Sequence, residues 1–308
     1  MAKVSVTGAS GFLGSRVVAA LARRGHSVRA VSRAGSMMPG ADEALAIGDL
    51  LESDLTRVVA GADIIVNCAA RVHVLPDGHA NADDRMNHRF AVALAHAAKT
   101  ANVTRFIQIS SVAAITSQTK PGEIVSDRTE PRPGTPYGRS KLDADNALAT
   151  LCEPGFTTVS LRPPVIVGPG AAAWFGMLNR AARLGMPLPV GRIENSRSFV
   201  FVENVADAVA TAVESDLAGA YIVTDSDPIS TGALYRRLLA LHGRPNRVWH
   251  WPATVMRTVA RVGLRERAAS LLGDAAYDGS RFRDRFAWTP PVSFESGLEI
   301  TAGSRKST

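Results

Sequence analysis

The feature that most constrains this fold is a glycine-rich turn close to the start of the chain. The β-rich run VSV leads into TGASGFLG, so Gly8, Gly11 and Gly14 follow a strand and open a helix. Glycine at these places permits a tight turn, a close approach to a pyrophosphate, and packing of the helix on its strand. The N–H groups of the helix N-terminus then face the phosphates. The pattern predicts a dinucleotide site at the first strand-helix junction.

The rest of the first half alternates short β-rich runs with segments of helical period, which is typical of parallel strands joined by crossover helices. We predict strands at residues 3–7, 27–32, 44–48, 63–67, 105–110 and 157–162. Helices are predicted to begin near Gly11, Leu51, Arg85 and Tyr137. The predicted fold class is α/β, a Rossmann-type doubly wound parallel sheet with a smaller, interleaved C-terminal substrate domain.

After residue 162 the chain changes, because PPVIVGPG and PLPVG are rich in residues that interrupt regular structure. We predict a helix over 174–184, a strand and a helix within SFVFVENVADAVATAV, and a strand in AYIVTD that returns to the first sheet. Residues 1–164 plus about 197–228 would form the cofactor domain. Residues from about 165 to 196 and from 229 to 308 would form the substrate domain.

Four features are predicted in the last part of the chain. One helix runs from residue 230 to 241 and a closing helix from 278 to 286. Between them, residues 253–272 are basic and amphipathic; we interpret them as a core-packed helix pair broken at Gly263 rather than a helix lying on a membrane. A mobile tail is expected from Gly303.

Composition and charge argue against several classes of protein. The 308 residues are 46% hydrophobic, and the net charge of +7 is dispersed rather than clustered, so we expect no nucleic-acid partner. The two cysteines, Cys68 and Cys152, suggest a reducing cytoplasm. No signal peptide and no apolar run of about 20 residues is present, so we expect a soluble protein without membrane contact. His73 and His88 lack metal-ligand spacing, and no metal is predicted.

Three polar residues suit proton transfer at a carbon that exchanges a hydride. Tyr137 and Lys141 are four residues apart in PYGRSKLDAD, so on a helix they project from one face. A tyrosine with a pKa of about 10 is a weak base at neutral pH, and a nearby ammonium lowers that pKa. Ser111 ends the strand FIQISS, at the sheet edge where ligands bind. Any one of these three residues alone commonly has only a structural role. Their combination in a chain that begins with a glycine-rich cofactor turn predicts acid–base catalysis.

The end of the second predicted strand indicates which dinucleotide is preferred. A carboxylate there usually binds the adenosine ribose of NAD, but this chain has Ser32 followed by Arg33. A hydroxyl and a guanidinium suit a 2′-phosphate, which favours NADP(H), although NAD(H) stays possible and Arg33 could be only a solvated loop residue. Asp49 and Leu50, after the third strand, are predicted to contact adenine.

TGASGFLG, the SS pair ending a strand, and YGRSK resemble the extended short-chain dehydrogenase/reductase family, and the similarity covers essentially the whole chain. The resemblance implies that Tyr137 is the acid/base, that Lys141 assists it, and that Ser111 orients the reacting oxygen. The predicted cofactor contacts are Gly8, Ser10, Gly11, Phe12, Leu13, Gly14, Ser32, Arg33, Asp49, Leu50, Ala69, Ala70, Asn87, Ser110, Tyr137, Lys141 and Pro163. A homodimer is likewise implied by the resemblance.

Within that family, AARVHV, LRPPVIVGPG, PLPVG and RSFVFVENVADA resemble bacterial nucleoside-diphosphate-sugar 4-epimerases and 4-ketoreductases of surface-polysaccharide synthesis. The implied substrate contacts are Arg71, Ser111, Trp174 and Arg197. Arg197 would meet the diphosphate, or it would only anchor the strand that follows. Trp174 stands where relatives often have asparagine.

Two further departures from the family pattern affect the predicted reaction. Val112 and Ala113 follow Ser111 where dehydratases of the family carry acidic residues, which disfavours dehydration. Asn67 stands where many relatives have histidine.

Four functions remain open from the sequence. Because Ser32 and Arg33 favour NADP(H), we expect an enzyme that reduces the C4 keto group of a UDP- or dTDP-linked sugar. An NAD-dependent nucleotide-sugar 4-epimerase is the alternative. A reductase of a non-nucleotide ketone would leave Arg197 incidental. A non-catalytic dinucleotide sensor would typically lack the tyrosine or the lysine, both of which are present here.

Overall fold

A sheet of seven parallel strands forms the centre of the computed structural model, which describes residues 1–49, 52–70, 85–191, 193–246, 248–249 and 272–303. In spatial order its strands are β10 (Gly219–Ile222), β7 (Thr157–Arg162), β5 (Arg105–Ile109), β4 (Ile64–Asn67), β1 (Lys3–Thr7), β2 (Ser27–Ser32) and β3 (Glu43–Ala46). The order reverses between β1 and β4, and the ligand crevice of such sheets lies beyond the carboxyl ends of the strands at that point. The predicted α/β doubly wound parallel fold is confirmed.

Helices lie on both faces of this sheet and beyond its carboxyl edge. They are α1 (Gly14–Arg23), α2 (Thr56–Val59), α3 (Phe90–Thr100), α4 (Pro136–Thr150), α5 (Ala173–Arg183), α6 (Val202–Val213), α7 (Thr231–Leu241), α8 (Ser280–Arg285) and α9 (Phe294–Ala302). A π-helical turn, Arg85–Arg89, precedes α3, and a 3₁₀ turn, Val112–Ala114, follows β5. Among the residues described, no helix is long and apolar enough to cross a membrane.

The core is divided by the sheet, because successive strand residues point to opposite faces. Val4 and Val6 of β1 pack with α1 and α6 on one face. Ile65 of β4 and Phe106 of β5 pack with α2, α3 and α4 on the other. Burial of each such side chain contributes about 1.5–3 kcal/mol, so strands buried on both faces need apolar residues almost throughout. A polar residue on these strands therefore requires a specific explanation.

A second group of elements packs beyond the carboxyl edge of the sheet. The short strands β8 (Val165–Val167) and β9 (Phe199–Phe201) pair in parallel, as do β6 (Ile124–Val125) and β11 (Ala276–Tyr277). α5, α7 and α9 bury apolar side chains around Phe199 and Phe201. The strand predicted in AYIVTD does return to the first sheet, where β10 pairs with β7. The domain boundaries drawn from the sequence stay a prediction.

Several predicted boundaries differ from those observed, and local backbone geometry explains the differences. The first helix begins at Gly14 rather than Gly11, because the N–H of Gly11 donates to Gly8 O within the turn, at 2.9 Å. β3 ends before Gly48, whose φ of 60° is left-handed. The second helix begins at Thr56, after a predicted start at Leu51 that lies outside the described residues.

The last helix was missed by the sequence patterns. α9 contains Gly297, and glycine is a weak helix former. The structure requires it, because a Cβ there would lie 2.7 Å from the Phe201 ring. Apart from Leu272, the amphipathic stretch 253–272 lies outside the described residues, as does the tail after Gly303.

Arg105 joins α6 to the sheet from a buried position at the start of β5. Its guanidinium donates to Ala212 O and Leu217 O at 2.7 Å each and to Thr157 Oγ1 at 2.8 Å. Arg105→Leu leaves these acceptors unpaired, so we expect the free energy of unfolding to fall by about 3 kcal/mol in urea denaturation. The control Arg23→Leu, on an exposed helix face, should change it by less than about 0.5 kcal/mol. Equal losses in the two variants would contradict this account.

Candidate active site

The glycine turn after β1 is built as a dinucleotide site requires. Gly8 has a φ of 68°, and a Cβ on Gly14 would lie 2.1 Å from Gly8 O, so α1 approaches the turn more closely than any side chain allows. The first turn of α1 carries no acidic side chain. The positive end of its dipole and the backbone of the glycine turn therefore suit a pyrophosphate, which matches the cofactor that the pattern predicts.

α4 carries Tyr137 and Lys141, and its start is specified locally. The Thr135 hydroxyl accepts the Gly138 N–H at 3.0 Å, and Pro136 occupies the first helical position, where its missing N–H costs nothing. A Cβ on Gly138 would lie only 2.4 Å from Ala113 O, so the helix and the 3₁₀ turn are in close contact. Glycine at this position brings the helix that carries Tyr137 onto the turn that Ser111 begins.

Ser111 caps that 3₁₀ turn. Its hydroxyl accepts the Ala113 N–H at 3.2 Å, which leaves its own proton available to donate. The Val112 N–H donates to Pro163 O at 3.2 Å, so the predicted cofactor residue Pro163 lies beside the serine. Tyr137 is half-buried and near Lys141, whose Nζ lies 5.9 Å from the tyrosine ring centroid. The structure thus gathers the three predicted catalytic residues at the carboxyl end of β5.

Lys141 is a buried cation, with 1% of its surface exposed. Its Nζ donates to Ile109 O at 2.9 Å. Burial lowers the pKa of Lys141 to about 8, and the nearby carboxylate of Asp145 opposes that shift. Close to neutral pH the ammonium is therefore present, but it is lost as the pH rises through about 8.

Asp145 belongs to a buried network that the sequence reasoning did not find. Its Oδ2 accepts from Ser110 Oγ at 2.9 Å and from Arg162 Nε at 2.8 Å. Asp145 lies one helical turn beyond Lys141, and that i+4 spacing was the available signal. The network connects the predicted cofactor residue Ser110 and the last residue of β7 with the helix that carries Lys141.

The predicted adenosine end of the site is formed by the carboxyl ends of β2 and β3. Ser32 is buried, and its hydroxyl accepts the Gly35 N–H at 3.1 Å, which leaves one proton to donate. Arg33 is exposed immediately after it, and Asp49 is exposed beyond β3. Leu50 lies outside the described residues.

The other predicted cofactor residues lie around the same edge of the sheet. Ser10 and Ala70 are exposed, Phe12 and Leu13 are half-buried, and Ala69, Asn87, Ser110 and Pro163 are buried. The Gly8 Cα approaches the 68–69 peptide so closely that a Cβ would lie 2.8 Å from Ala69 N. Asn87 Nδ2 donates to Ser140 Oγ at 3.4 Å, which joins the π-helical turn to α4.

The predicted substrate residues Trp174 and Arg197 contact each other. The Arg197 guanidinium carbon lies 5.4 Å from the centroid of the Trp174 ring, and Nη1 donates to Gly273 O at 2.8 Å. Arg197 is buried, yet its Nε–H has no hydrogen-bond partner. Among the described residues no carboxylate lies within ion-pair distance of its guanidinium, and Asp274 acts on it only from farther away. Its backbone bridges Ile229 and Ala275. Arg71 lies outside the described residues.

Tyr277 connects the segment around Arg197 with the segment that follows Ser111. It follows Ala275, and its hydroxyl donates to Thr116 O at 2.8 Å, five residues after Ser111. Burial raises the pKa of the Tyr277 phenol, against the effect of the nearby Arg197 guanidinium. Within the described residues no group of side chains could hold a metal ion. His73, one of the two histidines considered above, lies outside them.

The fold and this arrangement are those of an α/β protein that binds a dinucleotide. The model of the NAD dependent epimerase/dehydratase family matches residues 4–223, more than half of the chain. The protein belongs to that family and is an enzyme of the extended short-chain dehydrogenase/reductase type.

Two relatives support the same placement, and a solved structure has the same fold. A UDP-glucose 4-epimerase from Vibrio cholerae is 29% identical over 97% of this chain and 94% of its own length. A 3 beta-hydroxysteroid dehydrogenase/Delta 5-->4-isomerase from Mycobacterium tuberculosis is 30% identical over 82% of this chain and 71% of its own length. The solved structure of MoeE5 in complex with UDP-glucose and NAD has a TM-score of 0.78 at 23% identity and covers 98% of each chain.

Asp145→Asn tests the electrostatic role of the buried network. Without the carboxylate that raises it, the pKa of Lys141 should fall below about 8, and the alkaline limb of activity should move to lower pH. Arg162 would lose its partner, so the free energy of unfolding should fall by about 3 kcal/mol. A pH–rate profile and a urea titration measure the two effects.

The matched control for this substitution is Asp143→Asn, an exposed carboxylate on the same helix. It should leave both the profile and the stability unchanged. An unshifted alkaline limb in Asp145→Asn would show that Lys141 does not depend on this carboxylate.

Proposed function

We propose that this enzyme is an NAD(P)-dependent 4-epimerase of a nucleotide-linked sugar. The buried Arg197 guanidinium, with an unpaired Nε–H and no carboxylate partner, is the observation that carries the proposal. A buried cation without a directly paired carboxylate is costly unless a ligand supplies an anion, and a diphosphate binds a guanidinium through charge-assisted hydrogen bonds. The Vibrio cholerae relative, named as a UDP-glucose 4-epimerase and similar over nearly the full length of both chains, supports the sugar and the reaction.

The sequence favoured a 4-keto-sugar reductase over an epimerase, and that preference depended on NADP(H). Ser32 now has a local role, because its hydroxyl accepts the Gly35 N–H. The exposed Arg33 remains the chief feature that favours a 2′-phosphate, and MoeE5 was solved with NAD. We therefore place the epimerase first and the reductase second, and we leave the choice between NAD and NADP to binding measurements.

The cofactor would be held by the glycine turn, by the segment around Ala69 and by Lys141; when bound, its nicotinamide exchanges a hydride with the substrate carbon. Tyr137 would take the proton from the C4 hydroxyl and return it after the ketone has turned. The Lys141 ammonium would lower the pKa of that phenol, and the free Ser111 proton would hold the reacting oxygen. Because hydride leaves and returns on the same sugar, the reaction consumes no cofactor.

A second candidate function is oxidoreduction of a hydrophobic ketone or sterol. It is favoured by the relative from Mycobacterium tuberculosis and by the aromatic group beside Arg197, where the Trp174 ring lies 5.9 Å from that of Phe199. An apolar substrate would pack on the partly exposed Trp174 ring, which the buried Phe199 supports, and would leave Arg197 a structural residue that anchors Gly273.

Purified protein tests these functions directly. UDP-glucose and UDP-N-acetylglucosamine are incubated with catalytic amounts of NAD or NADP, and the products are separated by chromatography. Interconversion of 4-epimers without net change in absorbance at the NAD(P)H band supports the proposal. Stoichiometric NADPH oxidation with a UDP-4-keto-6-deoxy-hexose would support the reductase instead. Turnover of a 3β-hydroxysteroid with no UDP-sugar activity would support the second candidate.

Tyr137→Phe should reduce kcat at least about 1,000-fold, because it removes the proton acceptor while keeping the ring. The affinity for NAD(P)H, measured by fluorescence titration, should change by less than about threefold. Arg139→Ala, an exposed residue on the same helix, is the control and should retain activity. Turnover that survives in Tyr137→Phe would rule out the proposed acid/base.

Arg197→Leu should raise KM for the UDP-sugar at least about tenfold with a smaller change in kcat, because a charge-assisted contact with the diphosphate is lost. Inhibition by UDP should weaken in parallel. Arg180→Leu, an exposed arginine on α5, serves as control. If KM and UDP inhibition stay unchanged in a folded Arg197→Leu protein, the nucleotide assignment fails.

A further inference from the structure

Three buried polar side chains lie in one row across the carboxyl end of the sheet. Thr7, Asn67 and Gln108 are on adjacent strands, paired in register Thr7↔Asn67 and Asn67↔Gln108, and each is 0% exposed. Two residues earlier on the same strands and face are the apolar Ile65 and Phe106. On β4 and β5 a polar row therefore replaces the apolar core at the carboxyl end of the strands, whereas on β1 the residue two before Thr7 is the buried, polar Ser5.

The three side chains form a continuous chain of hydrogen bonds. Thr7 Oγ1 donates to Asn67 Oδ1 at 2.6 Å, and Asn67 Nδ2 donates to Gln108 Oε1 at 2.8 Å. Gln108 Nε2 donates to Ile109 O at 3.2 Å. We call this chain from Thr7 through Asn67 to Gln108 the amide ladder. A buried chain of hydrogen bonds is rigid when every donor and acceptor in it has a partner. Leaving one of these groups unpaired costs free energy.

Each end of the amide ladder contacts a different part of the site. At one end, Ile109 O also accepts from Lys141 Nζ at 2.9 Å, so Gln108 and Lys141 share a single acceptor. In the middle, Asn67 Oδ1 accepts the Ala69 N–H at 3.2 Å. That residue belongs to the peptide against which Gly8 packs. The ladder thus connects the lysine with the turn that adjoins the glycine loop.

We infer that Asn67 and Gln108 are positioning residues: they hold the Ile109 carbonyl that binds the Lys141 ammonium and keep it in fixed relation to the cofactor turn at Ala69. Neither residue touches the reacting atoms. This inference rests on the proposed function only in the role it gives to Lys141.

The groups around Lys141 determine how a change in the amide ladder would alter the pKa of this lysine. Asp145 on its own helix raises the pKa of Lys141, and the Tyr137 ring lies nearby. Burial raises the pKa of the Cys68 thiol after β4 to about 12, so that thiol is uncharged where Lys141 titrates. Because both nitrogens are about 3 Å from Ile109 O, Gln108 Nε2 lies within about 6 Å of Lys141 Nζ. A negative charge placed at Gln108 would therefore favour the ammonium.

The first test is Gln108→Glu, read by NMR titration of ¹³Cε-labelled lysine and by the pH–rate profile. The pKa of Lys141 should rise by about one unit, and the alkaline limb of activity should move upward by the same amount. The lysine titration needs no substrate, so it tests the closeness of Gln108 to Lys141 that the inference requires even if no UDP-sugar is epimerised. An unchanged titration of Lys141 in this variant overturns the inference.

The second test is a double-mutant cycle of Asn67→Leu and Gln108→Leu. Each should lower kcat by about tenfold while the protein stays folded, and the double variant should lose little more than either, because both belong to one chain. Losses that multiply would show independent packing effects and overturn the inference.

The Thr7→Val variant keeps the shape of the side chain and removes only the first donor of the amide ladder. If the larger changes prevent folding, a kcat loss of about threefold in Thr7→Val supports the ladder, and none contradicts it.

Two controls separate positioning from general destabilisation. Ser5→Ala alters a buried hydroxyl that has no partner, on the same strand and face as Thr7. Ile65→Val removes one methylene from β4, two residues before Asn67. Both should leave the Lys141 titration and kcat unchanged, even where Ile65→Val lowers the thermal midpoint. If Ile65→Val reduces kcat as much as Gln108→Leu, the ladder has only a structural role.

Discussion

The rest of the site depends on a buried ammonium held at the end of β5. Lys141 is almost wholly buried, and a cation in such a place is tolerated only with an acceptor and a compensating charge. The Ile109 carbonyl supplies the acceptor, and Asp145 supplies the charge from one turn further along the helix. The resulting pKa of about 8 keeps the lysine charged near neutrality but close to its titration. An ammonium poised in this way can stabilise a neighbouring phenolate without being locked into a strong ion pair.

Two buried arginines near the site differ in how their charge is compensated. Arg162 is paired with Asp145, whereas Arg197 has a carbonyl, an aromatic ring and an unpaired Nε–H. In the ion pair of Arg162 with Asp145, the protein itself supplies both charges. For Arg197, no carboxylate of the described residues lies within ion-pair distance of the guanidinium, and Asp274 acts on it only from farther away. This difference, more than the number of basic residues, separates structural arginines from one that suits an anionic ligand.

Close backbone contacts bring these groups together. Gly14 lets α1 meet the turn at Gly8, and Gly138 lets α4 meet the 3₁₀ turn after Ser111. A methyl group at either position would overlap a carbonyl oxygen. The amide ladder then crosses the strands between the two contacts. Packing of this kind leaves little freedom to the edge of the sheet. Small changes in buried side chains are therefore expected to shift the positions of the proposed catalytic residues.

Much of this protein could be predicted from its sequence, because the features concerned depend on neighbours along the chain. Strand and helix periods predicted the parallel sheet, the glycine spacing predicted the phosphate turn, and the four-residue interval predicted that Tyr137 and Lys141 share a helix face. The pairing of Asn67 with Gln108, the ion pair of Asp145 with Arg162, and the contact of Trp174 with Arg197 were decided only by tertiary structure. Strand register and burial set those contacts between distant residues, and neither quantity is visible in a local pattern.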